Sequence, residues 1–334
     1  MADDPSAPKR PQKATLHDVA DLVGVSPRTV SRVVNDEGGF SDATRERVLD
    51  AIAELNYRPN LVARSLVTSQ SNTLALIITD IADPFFAELA NGIQQAAQRR
   101  GMSVFLAVSE NDADTESELL GRLMSQAVDG AILFPASHSI DGPIHFARLG
   151  LPIVAVDTEF DHDNICCVRS DLEHGVALAV DHLRTRGRRR LAMLTNGNLP
   201  PHRRRRENHF RSLVATDTPV VTADPTSTGG YEAARTLLDT HPDVDAVFAY
   251  NDVMAIGALA AFREADRRVP DDIAVVGCDD IAVGTLLPPA LTTIKLDHER
   301  LGETAVACLQ ELLTATTRPD PITVPIDLVV RAST

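Results

Sequence analysis

From Thr73 onward the chain alternates short apolar runs with longer amphipathic stretches, and no other feature constrains its fold as much. The runs TLALIITD, MSVFLAVS, GAILFPA, IVAVD, RLAMLTN, AVFAYN, IAVVGCDD and TTIKLD read as strands. Helical segments such as PFFAELANGIQQAAQRRG and GVALAVDHLRTRG separate them. Strands that are apolar on both faces, each followed by a helix, imply parallel sheets covered by crossover helices. Two such sheets fit this length better than one. Ligands in such folds bind beyond the carboxyl ends of the strands. Polar residues stand at those ends: Asp80, Asp157, Asn196, Asn251 and Asp279.

The stretch before Thr73 has a different texture. Residues 1–13, MADDPSAPKRPQK, are polar, lack the apolar core of a signal peptide and read as a disordered tail. Three short helices follow. The first runs from about Leu16 to Val23, with Thr15 as N-cap, Asp18 completing a capping box and Gly24 closing it. The second starts at Ser26 with Pro27 in its first turn and ends near Asn35. The third, capped by Ser41, places Val48, Leu49, Ile52, Ala53 and Leu55 on one face. Beyond it, Asn60 to Leu66 reads as a short helix leading into the Ser/Thr/Gln/Asn linker near Ser69–Asn72.

In VGVSPRTVSRVVN the valines alternate with Ser, Thr and Arg. Two helices joined by a tight Gly-containing turn, with Ala20, Gly24 or Val25, and Val30 facing inward, fit a helix-turn-helix. Its second helix would enter the major groove. Arg28 and Arg32, four residues apart, share a face and suit guanine edges. Ser26, Thr29 and Ser31 suit phosphates, which position without specifying sequence. The alternative is an ordinary three-helix bundle with a solvated Arg face.

Charge and motifs narrow the function. The net charge of −15 argues against a generic nucleic-acid binder. Residues 1–68 carry nine Lys and Arg against ten Asp and Glu, and the remainder carries 23 against 37. If the protein binds DNA, it does so through placed cations rather than bulk charge. Cys166, Cys167, Cys278 and Cys308 fit neither a disulfide framework nor a zinc site, and read as small buried residues. There is no G-x-G, no G-K pair and no H-E-x-x-H. No catalytic residue, metal or cofactor is expected. No apolar run is long enough to span a bilayer, so the protein is expected in the cytosol.

The ordered set ATLHDVADLVGVSPRTVSRVVN, SDATRERVLDAIAELNYRPNLVARSL, DIADPFFAELANGI, NDVMAIGAL, RRVPDDIAVVGCDDI and PPALTTI resembles the LacI/GalR family of transcription regulators from Ala14 to Thr334. The resemblance implies an all-α helix-turn-helix headpiece at 14–59 and a hinge helix and linker at 60–71. A two-lobed α/β core at 72–334, like the periplasmic sugar-binding proteins, would follow. Its N-lobe would comprise about 72–169 and 298–323, and its C-lobe about 170–297 and 324–334. It further implies a homodimeric repressor that reads a near-palindromic double-stranded operator and responds to a small sugar-like or nucleoside-like effector. Pro27, Arg28 and Arg32 match the base-reading positions, with Asn35 on the same DNA-facing helix. Ala63, Arg64 and Leu66 match the hinge at the minor groove, where Leu66 would wedge between bases. Seven residues are too few for a stable isolated helix, so this hinge should order only on DNA or in a tight dimer. The chain ends at VVRAST without a heptad tail, which gives no support for a coiled-coil tetramer.

For the effector, the resemblance points to Asp83, Phe85 and Phe86 in ADPFF, and to Asp157, Asn251 and Asp279. Core packing is the alternative for the two Phe, and helix capping for Asp279, next to Asp280. In PHRRRRENHF, counting back four from Phe210 selects Arg206, with Arg203 to Arg205 left to the surface. Thr158 stands where ribose-type cores often carry Arg, and Pro225 where an aromatic often lines the pocket. The segment VATDTPVVTAD reads as a short loop. The familiar pentose site is not reproduced. The rival readings are a small-molecule (sugar) binding protein, which would need a signal sequence and no headpiece, and an α/β enzyme acting on a sugar or nucleoside.

Overall fold

The computed structural model describes residues 14–58, 70–126, 128–136, 141–200, 204–314 and 318–334. They form two compact units, one ending at Ser71 and the other beginning at Asn72. The first unit holds α1 (Leu16–Val23), α2 (Pro27–Val34) and α3 (Asp42–Glu54). Each starts on a hydroxyl cap: Thr15, Ser26 and Ser41 accept from the backbone N–H groups of Asp18, Thr29 and Thr44. Asp18 returns the bond to the Thr15 N–H at 2.7 Å, completing the capping box. Gly24 closes α1 at φ 72°, a left-handed value that costs glycine nothing. Val19, Ala20, Val23, Val30, Val33, Val48, Ala51 and Tyr57 make the core of this unit. The face expected for α3 is partly wrong. Leu49 is exposed at 48% and Ala53 is exposed, while Ala51 is buried. A 13-residue helix touching two short partners buries only a narrow stripe. The helix expected at Asn60–Leu66 lies outside the described residues.

The second unit has two six-stranded sheets. The first contains β1 (Thr73–Ile78), β2 (Ser103–Val108), β3 (Gly130–Leu133), β4 (Ile153–Val156), β5 (Ile165–Ser170) and β11 (Ile322–Val324), in the order β11-β5-β4-β3-β1-β2. All its pairs are parallel. The second contains β6 (Leu191–Asn196), β7 (Val220–Ala223), β8 (Ala246–Ala249), β9 (Ala274–Asp279), β10 (Thr292–Lys295) and β12 (Asp327–Val329), in the order β12-β10-β9-β8-β6-β7. It is parallel except for β12, which runs antiparallel to β10. The helices are α4 (Pro84–Arg99), α5 (Ala113–Ser125), α6 (Asp141–Arg148), α7 (Leu172–Thr185), α8 (Arg205–Leu213), α9 (Ser227–Thr240), α10 (Asp252–Glu264) and α11 (His298–Thr314).

The central strands are buried on both faces, as their sequences imply: every residue of β3, β4 and β8 is buried. Each fully buried Leu, Ile or Val there contributes roughly 1.5–3 kcal/mol of transfer free energy. Cys166 and Cys167 lie buried in β5. Four strands, β5, β7, β11 and β12, are not among those the sequence pattern shows. β7 occupies the segment expected to be a loop and is a sheet edge, and β11 and β12 have three residues each. Their patterns are too short or too polar to show periodicity.

The chain passes between the sheets at Asp171, after Lys295 and at Pro325–Ile326. The last passage falls just beyond the expected division at 323/324, because Val324 still pairs with Ser170. In each sheet the strand order reverses once, between β1 and β3 and between β6 and β8. Such switch points open crevices at the carboxyl ends of the strands.

Candidate functional site

In the first unit, α2 divides by face. Val30 and Val33 are buried, Arg28 is exposed, and Ser31 and Arg32 are half-buried. The Ser26 hydroxyl caps the Thr29 N–H at 3.1 Å and meets the Thr29 hydroxyl at 2.9 Å. Pro27 opens the helix, Asn35 closes it, and Asn35 Nδ2 donates to Glu37 at 3.1 Å. The Arg32 guanidinium lies over Gly39, where a Cβ would stand 2.0 Å from Nη2. This surface offers two guanidiniums and three hydroxyls on one short helix, as a major-groove reader needs. Ala63, Arg64 and Leu66 lie outside the described residues.

In the second unit, the strand ends of both sheets enclose a cleft of ≈ 1110 Å³. Asp83, Phe85, Phe86, Asp157, Arg206, Asn251 and Asp279 all line it, and so do Asp80 and Asn196. The structure thus brings together every ligand residue expected from the sequence. Thr158 and Pro225, the two departures, line it too.

The individual settings differ. Asp83 caps α4, its Oδ1 accepting from the Phe85 N–H at 3.0 Å. Phe85 is 7% exposed and belongs to the core, edge-on to Phe134 at 6.0 Å. Phe86 is half-buried and edge-on to Phe134 at 5.4 Å. The core-packing alternative therefore describes Phe85, while Phe86 offers the more open ring. Asp157 directly follows β4 with φ 52°, and its Oδ1 accepts from the Ser170 N–H at 2.7 Å. Asn251 caps α10, accepting from the Met254 N–H at 3.0 Å and donating to the Pro225 carbonyl at 3.3 Å.

Arg206 is the cation of the cleft. Its Nη1 donates to the Tyr250 carbonyl at 2.7 Å, and its guanidinium carbon lies 4.4 Å from the centre of the Tyr250 ring. Nη2 stands 3.8 Å from Asp279 Oδ1, with the two side chains 11% and 5% exposed. Burial pushes the Asp279 carboxyl well above the carboxylate range against the pull of Arg206. Burial also raises Asp83 and Asp157, opposed by their backbone hydrogen bonds from Phe85 and Ser170. Asp279 is not a helix cap. The short 3₁₀ turn that follows, Ala282–Leu286, has no side-chain cap, and Asp280 pairs with Arg331 at 2.5 Å.

Two expectations need correction. Arg204 and Arg205 are not surface residues. Arg204 Nε donates to the Leu199 carbonyl at 2.7 Å. Arg205 lines the cleft and grips Glu173 with two bonds of 2.9 and 2.7 Å. Arg203 lies outside the described residues. Sequence reasoning also missed Tyr250 and Asp252. An aromatic directly before the strand-end Asn251 could have signalled Tyr250. Asp252 is fully buried, accepting from the Thr293 hydroxyl at 2.6 Å and the Ile281 N–H at 3.0 Å. Burial, against those two bonds, pushes its carboxyl up to about 6.

Among the described residues, no group of His, Cys, Asp and Glu could hold a metal ion, and no helix is long and apolar enough to cross a membrane.

Comparison with known proteins places this geometry. Residues 15–60 match the bacterial regulatory proteins of the lacI family, and residues 180–334 match the periplasmic binding protein-like domain. The chain is 36% identical over 312 residues to the ribose operon repressor of Escherichia coli K12, covering 91% of this chain and 94% of that protein. The chain belongs to the LacI family. Among solved structures, it is similar to the Lac repressor bound to ONPG in the repressed state, with 30% identity, a TM-score of 0.87 and coverage of 97% and 100%. It is also similar to the transcriptional regulator CelR–cellobiose complex, with 32% identity, a TM-score of 0.73 and coverage of 96% and 100%. This regulator is thus a DNA-binding transcription factor with an effector-binding core, not an enzyme. The helix-turn-helix reading and the two-lobed parallel-sheet fold both hold.

The Asp252 carboxyl makes a pH dependence. A carboxyl held above its ordinary value of 3.8 favours folding only while protonated, so this contribution is lost as pH rises through about 6. Asp252→Asn removes the titration. The stability of that variant relative to the wild type should rise by roughly 2 kcal/mol between pH 4 and pH 7 in urea unfolding. A difference that stays constant with pH would show that Asp252 does not titrate in this range.

Proposed function

We propose that this regulator is a homodimeric, cytosolic repressor whose cleft takes an uncharged, hydroxyl-rich effector of the sugar class. The observation that carries the reading is the convergence of Asp83, Asp157, Asn251 and Asp279 around one buried guanidinium, Arg206, at facing strand ends. Carboxylates accept from ligand hydroxyls, the guanidinium donates and the amide does both. The half-buried Phe86 ring suits the apolar face of a sugar. Both cleft arginines are already engaged, Arg205 by Glu173 and Arg206 by Tyr250 and Asp279, which disfavours a phosphorylated ligand. Two similar proteins, a ribose operon repressor and a regulator in complex with cellobiose, support the same class.

On the DNA side, Arg28 and Arg32 would read base edges, Pro27 would set the entry of the helix, and Ser26, Thr29, Ser31 and Asn35 would meet the backbone. Ala63, Arg64 and Leu66 would form the hinge contact in the minor groove. Two copies would read the halves of a near-palindromic operator.

Two measurements test this. Arg32→Ala should cost about 1–3 kcal/mol of operator affinity with little change on random DNA, by fluorescence anisotropy. Equal weakening on both would reduce Arg32 to a phosphate contact. A thermal-shift panel of neutral sugars, nucleosides and their phosphates should raise the melting temperature with a neutral sugar. Arg206→Ala should remove that shift and the accompanying change in operator affinity, a loss of roughly 1–3 kcal/mol or more in ligand binding. Stabilisation by phosphorylated compounds alone, or an undiminished response in Arg206→Ala, would contradict the assignment.

A further inference from the structure

Asp279 is the most exacting residue of the cleft. Its side chain is 5% exposed, and Arg206, its ion-pair partner, stands 3.8 Å away, beyond hydrogen-bond reach. Its backbone takes φ 125° and that of Asp280 φ 60°, values rarely adopted by residues other than glycine. Two consecutive residues of this kind persist only where the surroundings hold them.

The structure shows what holds them. Asp280 is gripped from outside by Arg331, whose Nη2 donates to Asp280 Oδ1 at 2.5 Å while Nη1 donates to the Leu291 carbonyl at 2.8 Å. From inside, Asp252 reaches the same turn. Its Oδ2 accepts from the Ile281 N–H at 3.0 Å and its Oδ1 from the Thr293 hydroxyl on β10 at 2.6 Å. The Asp280 N–H also points to the Thr293 hydroxyl at 3.4 Å. The carboxylate needs room beneath β9. A Cβ on Gly277 would stand 2.1 Å from Asp252 Oδ1, so only glycine admits it there. Asp252 also follows Asn251, the cap that lines the cleft from α10.

We propose that Asp252 is a positioning residue of the effector cleft: its buried carboxylate ties the Asp279–Ile281 turn to β10 and so holds the Asp279 carboxylate where a ligand hydroxyl meets it. This rests on the reading of the cleft as the effector site. Asp252 touches no ligand itself and works through hydrogen bonds rather than charge. An asparagine can therefore replace it. The amide oxygen would accept from Ile281, and the amide N–H would donate to the Thr293 hydroxyl. That hydroxyl can turn to the Ile294 carbonyl, 3.3 Å away. Keeping a carboxyl buried here disfavours its ionised form, as its raised value shows. A purely structural role would be served as well by an apolar residue of similar volume.

The test uses the full chain and D-ribose as the probe, in two arms. The first is amide hydrogen exchange of the segment 279–284. The second is calorimetric titration with D-ribose. Asp252→Val and Gly277→Ala are expected to speed exchange of that segment at least tenfold and to weaken D-ribose at least tenfold. Asp252→Asn is expected to keep both within about threefold of the wild type, since a hydrogen-bonding role survives the loss of charge. Thr293→Val, which keeps the volume and loses the hydroxyl, is expected to fall between. If Gly277→Ala and Thr293→Val fold and leave both readouts unchanged, the proposal is overturned, whether or not Asp252→Val folds. If Asp252→Asn is as damaged as Asp252→Val, it is overturned too. Failure of the wild type to bind D-ribose excludes only that sugar as the effector, and the exchange arm then decides on Asp252 alone.

Discussion

The arrangement of the core depends on keeping one guanidinium charged inside a cleft. Arg206 is 11% exposed, and a cation removed from water that far costs several kcal/mol unless neighbours replace its hydration. They do so from separate elements. The Tyr250 carbonyl accepts a hydrogen bond, the Tyr250 ring lies beneath the guanidinium, and the Asp279 carboxyl stands 3.8 Å from Nη2. These groups meet because β8 and β9 end side by side, with α8 beginning opposite them. The same strand ends leave Asp157 from the other sheet and Asn251 facing the common space. A cleft built this way spends its hydrogen-bonding capacity on acceptors, which suits hydroxyl-bearing ligands.

The headpiece meets a different constraint. A unit of three helices with 8, 8 and 13 residues has little apolar surface to bury. It relies on local devices instead: three hydroxyl caps, a capping box and a left-handed glycine, each N-cap contributing on the order of 1 kcal/mol. This economy lets α2 bury only Val30 and Val33 and leave Arg28 exposed. The acidic core adds no general affinity for DNA, so the proposed DNA contacts rest on placed groups such as these.

What could be read from the sequence follows from how local each signal is. The caps at Thr15, Ser26 and Ser41 and the stop at Gly24 are local, and the headpiece helices begin and end there. The doubly buried strands have runs of Leu, Ile, Val and Ala that no loop would carry. β5 was harder, because Cys166, Cys167 and Arg169 interrupt its pattern. β7 sits at an edge, half-exposed, where polar residues are tolerated. Strand ends and family resemblance both point to Asp157, Asn251 and Asp279, whereas Arg206, in the first turn of α8, is legible only through the resemblance. The place of Arg205 is not legible locally, because its partner, Glu173, lies 32 residues earlier on another helix. Asp252 was invisible for the same reason: its partners Ile281 and Thr293 are neighbours only once β9 and β10 pair.

If a ligand in this cleft controls the headpiece, the two binding events must share one coupling free energy, equal in both directions. The most direct measurement is therefore the full thermodynamic square for the best neutral sugar and the operator. The account predicts that saturating sugar changes operator affinity by a factor of roughly 5–150, and that saturating operator changes sugar affinity by the same factor. A sugar that occupies the cleft with an affinity unmoved by saturating operator would contradict it.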